Sequence, residues 1–185
     1  LGSSALFIYG ISLLYGLTGT LDFTSVDFSR GVSVADPYLR GFALGLFAVG
    51  LLFKMSWAPF HPWNPDVMEH LPAAWMTWIS TAPKLAIAFV GVRLLPGLPL
   101  SYANELAVLA ILTLLVGNLG ALGQNNTKRL LAYSSIAHGG FLAMAWFFQP
   151  MQALDAILFY CFLYSIAFLL VFYLIDEASA VEVKS

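Results

Sequence analysis

"GLLFKMSWAPFHPWNP", Gly50 to Pro65, decides how the rest of the chain is read. An apolar run reaches a lysine, Lys54, and then meets Pro59, Pro62 and Pro65 at intervals of three. Proline removes a backbone donor and its ring clashes one turn back, so a helix cannot continue unchanged through this stretch. A charge and a break lie together at the end of an apolar helix. Whether that is a defect or a device depends on what surrounds it.

The surroundings are those of a membrane protein. Of 185 residues, 60% are hydrophobic and 10% are charged, and the mean hydropathy is +0.83. Soluble domains carry about 25% charged residues, so the composition falls in the membrane class. The net charge of −2 makes no case for a nucleic-acid partner or an anionic surface. Three histidines and one cysteine rule out a Cys-rich metal site or a disulfide framework, and Cys161 is expected simply to pack. The chain opens on Leu1 without a basic n-region, which does not read as a signal peptide. It is expected to be a fragment of a longer membrane protein.

A spanning helix needs about 20 mostly apolar residues. Six runs meet or approach that length: residues 1–21, 39–59, 71–95, 102–122, 127–148 and 153–175. Within lipid, only helices and closed barrels satisfy the backbone, and runs of this length mean helices. The fold class expected is an all-α polytopic membrane protein of about six transmembrane helices, the second broken near Pro59. The connections are Asp22–Pro37, the proline-broken Pro62–His70, the turn Pro96–Ser101, the segment Gly123–Asn126 with Thr127 as a candidate cap, and Gln149–Pro150. Gly41-x-x-x-Gly45 allows for close helix contact. Arg30, Arg40 and Arg93 balance Lys128, Arg129 and Lys184 across the expected topology, so charge does not orient the chain.

Three titratable residues fall inside these runs. Lys84 lies 13 residues after Leu71 and 11 before Leu95; His138 lies 11 after Thr127 and 10 before Phe148; Lys54 lies 15 after Leu39. An intramembrane lysine costs about 2.5–3.5 kcal/mol on insertion scales and persists mainly where it faces an interior or water. With the solvation of its charged form weakened, such an amine is suited to taking and releasing a proton, and histidine titrates near neutrality. Ser56, Thr81, Ser134 and Ser135 are candidate bridges. Bland readings stand beside these. Lys54 could snorkel to a surface, Lys84 could be a static ion-pair partner, His138 could pack, and Glu105 and Asp155 read as solvated helix-end residues. Pro83 precedes Lys84 directly and frees the carbonyl of Ile79; Pro59 would do the same for Met55, beside Lys54. Each lysine therefore has a weakened helix next to it.

These motifs carry a resemblance. Phe53-Lys54-Met55-Ser56, Ala58-Pro59-Phe60-His61, Trp63 and Pro65-Asp66-Val67 resemble the antiporter-like membrane subunits of respiratory complex I, NADH-quinone oxidoreductase. The Pro-Asp-Val ending is most similar to the branch called subunit N or subunit 2. Ser80-Thr81-Ala82-Pro83-Lys84, Gln124 to His138, and Tyr9 to Gly19 are similar to that branch too, in the same order along the chain. The chain departs from the pattern at Met68–Trp75, where the family usually runs Tyr-x-Gly-Ala-Pro-Thr-Pro-Val.

The resemblance implies a larger fold of about fourteen helices with inverted repeats and broken helices, of which this chain is the middle. It implies a proton path through Lys54, on a broken helix, and Lys84, on the next; read beside it, His61 and His138 are auxiliary relay members and Pro59 and Pro83 mark the helix breaks. It implies a membrane subunit of an NADH:quinone oxidoreductase that holds no redox site itself. NADH and quinone would be used elsewhere in the complex, and no cofactor or metal would be bound by this chain. The expected partners are other complex I membrane subunits and the lipid bilayer, in a bacterial inner membrane. A cation/proton antiporter subunit of the Mrp type is the alternative.

Overall fold

A computed structural model describes residues 2–98, 100–147 and 150–182. Leu1, Pro99, Phe148, Gln149 and Lys184, which figure in the sequence reading, lie outside the described residues. The chain forms α1 (Gly2–Thr18), α2 (Val26–Val34), α3 (Pro37–Met55), α4 (Trp63–Glu69), α5 (Ala73–Leu94), α6 (Leu100–Leu122), α7 (Thr127–Met144) and α8 (Pro150–Glu182). Single 3-10 turns follow α5 at Leu95–Gly97 and α7 at Ala145–Phe147. There is no strand among the described residues.

Among the described residues, four helical stretches are long and apolar enough to cross a membrane: Pro37–Met55, Tyr102–Leu122, Thr127–Phe147 and Gln152–Ile175. α1 is apolar but shorter. α5 is long enough, but Ser80, Thr81, Lys84 and Arg93 dilute its apolar content. The outer faces of α6 and α8 expose Ile111, Leu115, Leu119, Phe159, Phe162 and Leu169, a surface suited to lipid rather than water.

The loop expected over Asp22–Pro37 contains a helix. Ser25 accepts from the backbone N–H of Phe28 at 3.1 Å and caps α2, and the i, i+4 pair Phe28 and Val32 is fully buried. Asp36 caps α3 by accepting from the N–H groups of Tyr38 and Leu39, with Pro37 at the first helical position, where its missing donor costs nothing. Asn126, one residue before the expected Thr127, caps α7 by accepting from the Lys128 N–H at 2.9 Å.

Three antiparallel pairings organise the molecule: α1 with α3, α6 with α7, and α5 with α8. The short α4 packs on α7. Among the described residues no neighbour uses the Gly41/Gly45 spacing, since a Cβ at either position would meet nothing within 4 Å. Both glycines instead line an apolar cleft of about 180 Å³ shared by α3, the end of α5 and the start of α6. Close approach is made elsewhere. A Cβ on Gly117 of α6 would lie 2.6 Å from the Ala137 nitrogen of α7.

Burial falls into two clusters. The larger includes Leu14, Phe47, Met55, Trp57, Ile87, Trp146 and Ile157. The smaller holds Met68, Met76, Ala132, Tyr164, Phe168 and Phe172. Tyr160 packs against both.

Candidate functional site

The helix that begins the opening motif stops four residues before Pro59. Ser56 adopts the left-handed conformation (φ 56°, ψ 40°). Its N–H donates to the Phe53 carbonyl at 3.1 Å, and the Trp57 N–H donates to the Leu52 carbonyl at 2.9 Å. That pair of bonds is the Schellman termination, built here on serine. Residues 56–62 then run without helix, with a cis Ala58–Pro59 peptide, until α4 starts at Trp63. Pro59 therefore lies within the break and Ser56 begins it.

Polar contacts hold the break open in a defined shape. The Trp63 indole stacks on Phe53 with centroids 5.5 Å apart, and its N–H donates to the Phe53 carbonyl at 3.1 Å. The Ala58 N–H donates to Thr113 Oγ1 of α6 at 3.1 Å, and Thr113 donates to the Leu109 carbonyl. Three buried polar atoms in the break and the first turn of α4 have no partner among the described residues: Trp57 Nε1, His61 Nδ1 and Asn64 Oδ1. Buried groups of this kind are commonly satisfied by internal water.

Lys54, in the last turn of α3, is half-buried, and its Nζ lies 4.9 Å from the centre of the Phe7 ring of α1, within cation–π reach. It opens on a cleft of about 550 Å³ between α1, α3, α4 and α5 whose lining includes Phe53, Trp63, Ile79 and Pro83. The proline-weakened turn of α5 expected from the sequence thus faces the cleft that Lys54 faces.

Lys84, on α5, is 2% exposed. Its Nζ donates to both the backbone carbonyl and the Oγ of Ser135 on α7. No carboxylate pairs with it among the described residues, so the static ion-pair reading of Lys84 finds no partner there. Its ammonium also lies 5.7 Å from the Tyr164 ring centre. His138, one turn beyond Ser135, contacts the Tyr164 ring (4.7 Å between centroids) and hydrogen-bonds through Nδ1 with the Tyr160 hydroxyl.

Lys84, Ser135, Tyr164, His138 and Tyr160 therefore form one continuous cluster between α5, α7 and α8. Lys54 and His61 stand outside it, in the adjoining cleft and in the break. Of the hydroxyls considered as bridges, Ser135 joins the cluster. Thr81 turns back to the Thr77 carbonyl at 2.8 Å, and Ser56 serves the helix end. Tyr160 and Tyr164 were not foreseen; their signal was two phenols at i, i+4 within an apolar run, which places them on one helix face.

A second polar cluster ties α4 to α7. Arg129 meets Asp66 at 2.8 Å and Glu69 at 2.9 Å. Asn126 donates to Glu69, and the Lys128 Nζ donates to the Leu71 carbonyl. Hydrogen bonding from Arg129 holds the Glu69 carboxyl below the usual carboxylate range. Glu105 and Asp155 are exposed. No group of three or more His, Cys, Asp or Glu side chains that could hold a metal occurs among the described residues.

Comparison with known proteins covers most or all of the chain. Residues 1–185 match the family model described as NADH:quinone oxidoreductase/Mrp antiporter, TM. The chain is 46% identical over 146 residues to NADH-quinone oxidoreductase subunit N of Chromohalobacter salexigens, covering 77% of this chain and 30% of that protein. It is 42% identical over 171 residues to the subunit N of Thioalkalivibrio sulfidiphilus, covering 89% and 35%. Its fold matches a chain of respiratory complex I from Thermus thermophilus with a TM-score of 0.72 at 39% identity, covering 92% of this chain and 36% of that one. It also matches a chain of an archaeal membrane-bound sulfane sulfur reductase with a TM-score of 0.74 at 27% identity and the same coverage. The chain spans about a third of the length of each of these relatives.

Proposed function

From the premise that the chain belongs to the NADH:quinone oxidoreductase/Mrp antiporter transmembrane family, we propose that it is the part of an NADH-quinone oxidoreductase subunit N that carries protons within the membrane. The observation that carries this reading is Lys84. A lysine 2% exposed, held by a serine hydroxyl and carbonyl rather than by a carboxylate, is costly as architecture and suited to a group that gains and loses a proton. Ser135 accepts from either protonation state of the amine, so the contact survives the change.

In this reading Lys84 is the central carrier and His138 receives the proton beyond it. Lys54 is the charge on the neighbouring side, separated from Lys84 by the cleft that Ile79 and Pro83 line. His61 is auxiliary, placed in the break beside buried polar atoms that have no partner among the described residues. Helices α1, α3, α5, α6, α7 and α8 cross the bilayer, and α4 lies in the connection between α3 and α5. The chain acts as a non-catalytic subunit: NADH and quinone react on partner subunits of the complex, and redox change there drives charge movement here. The other membrane subunits of complex I and the lipid are its partners, in a bacterial inner membrane. An Mrp-type antiporter is the second reading, favoured by the shared family description and disfavoured by the subunit N names of the relatives.

The test is proton pumping by the assembled complex in liposomes with Lys54→Ala or Lys84→Ala in the full-length subunit. Loss of pumping in assembled Lys84→Ala is expected. Wild-type pumping in both variants would reject the reading.

A further inference from the structure

Once a proton reaches His138, the surroundings of the ring determine where it goes next. The imidazole contacts four aromatic side chains: Phe141, Tyr160, Tyr164 and Phe168. Phe141 and Phe168 have no exchangeable proton. Tyr164 lies between Lys84 and His138, on the side from which the proton arrives. Past Tyr164, α8 continues as a stack of hydrocarbon rings, with Tyr164 to Phe168 at 4.2 Å and Phe168 to Phe172 at 5.2 Å. That direction is closed to a proton. Tyr160 is different: its hydroxyl meets a ring nitrogen of His138, and the side chain sits half-buried where the two hydrophobic clusters adjoin.

Resting on the proposed relay, we infer that Tyr160 is the proton carrier after His138, and that the route leaves toward the end of the molecule where α8 begins, away from the Arg129 clasp. The pairing of the helices sets this direction. α7 and α8 run so that Ser135 and His138 advance along α7 as Tyr164 and Tyr160 retreat along α8, and Arg129 lies at the opposite end of α7. The step is a hydroxyl hop. The imidazolium N–H bond breaks as a new O–H bond forms on the Tyr160 oxygen, and the original phenolic proton passes to a water molecule on the side where α8 begins. The hydroxyl is neutral before and after, and no electrons change hands. Tyr164 is a positioning residue: its ring touches both the Lys84 ammonium and His138 and keeps their spacing.

The experiment uses the full-length subunit in its assembled complex, reconstituted in liposomes, with NADH-driven proton pumping measured per NADH oxidised. Three variants are compared: Lys84→Met, Tyr160→Phe and Tyr160→His. Phe preserves the ring and removes the hydroxyl; His replaces the hydroxyl with a ring nitrogen able to pass a proton. Tyr160→Phe is expected to lose the same share of pumping as Lys84→Met, and Tyr160→His to recover it at least in part. If Lys84→Met is impaired while Tyr160→Phe pumps as wild type, this inference fails and the relay stands. If Lys84→Met itself pumps as wild type, the relay fails and this inference with it. Should Tyr160→Phe not assemble, Tyr160→His decides: pumping above the Lys84→Met level supports the route, and pumping no better than that level in an assembled complex overturns it.

Discussion

Substituting Gly117 with alanine probes how closely the site's helices are held. A methyl carbon there would lie 2.6, 2.8 and 2.9 Å from the Ala137 N, Cα and Cβ atoms. Carbon atoms rest at about 3.5–4.0 Å, so α6 and α7 would have to separate by about 1 Å. The obstructing atoms belong to the backbone and Cβ of α7, so no side-chain rotation relieves the contact. Overpacking of this kind costs about 1–3 kcal/mol, against a gain of about 1 kcal/mol in helix propensity. The net expectation is a loss of up to about 2 kcal/mol, and of about 1–3 kcal/mol relative to a glycine-to-alanine change that meets no neighbour.

Function should suffer more than stability. Ala137 lies between Ser135 and His138 in sequence, and a shift of about 1 Å at a reacting group can cost on the order of 100-fold in rate. The assay is denaturant unfolding of the full-length subunit in detergent, followed by circular dichroism, together with pumping by the assembled complex. Gly45→Ala is the matched control, because a methyl there meets open space. It is expected to be neutral or to stabilise by up to about 1 kcal/mol. If Gly117→Ala matched Gly45→Ala in both stability and pumping, the close α6–α7 contact would not be what positions the site.

Two further outcomes follow from local geometry. Ser56→Gly removes the cost of a side chain in the left-handed region, about 1–2 kcal/mol for a non-glycine residue; the midpoint of the same unfolding assay is expected to rise, and Ser56→Ala to give no such gain. The Glu69 carboxyl is held below its ordinary range by Arg129, so its contribution to stability is present above the unfolded carboxylate pKa of about 4.3 and is lost as pH falls through the lower folded value. Melting temperature followed down through that window is expected to fall less steeply for Glu69→Gln than for the unaltered protein, and equal slopes would show the clasp to be silent.

How much of this was legible beforehand depends on which physical scale set each feature. Helix existence follows from run length and hydropathy, so the long apolar helices were readable. The break was readable from three prolines, but its starting point was not. A left-handed serine leaves no mark in composition, and proline, the louder signal, lies three residues later. Lys84 was readable as buried because neither end of its run was within reach. Which hydroxyl would meet it was not, because serines and threonines in helices often turn back on their own carbonyls, as Thr81 and Thr113 do. Gly41 and Gly45 satisfied a local spacing whose tertiary partner is absent among the described residues, while Gly117 met a partner that no local spacing announced. The tyrosines of α8 were visible as a pair but had no meaning until α7 was placed beside them.

The clasp at the end of α4 gives the break a mechanical character. One side of the break is α3, laid against α1; the other is α4, riveted to α7 through Asp66, Glu69 and Arg129. At about 1.5 Å per residue, α4 is a lever arm on the order of 10 Å long. A tilt of about 10° about its start would carry its far end by about 2 Å, and the rivet passes that displacement to the first turn of α7. Ser135 and His138 ride on the same rigid rod. A small swing of α4 beside Lys54 would load the Arg129 contacts at the first turn of α7, the helix that also carries Ser135 and His138.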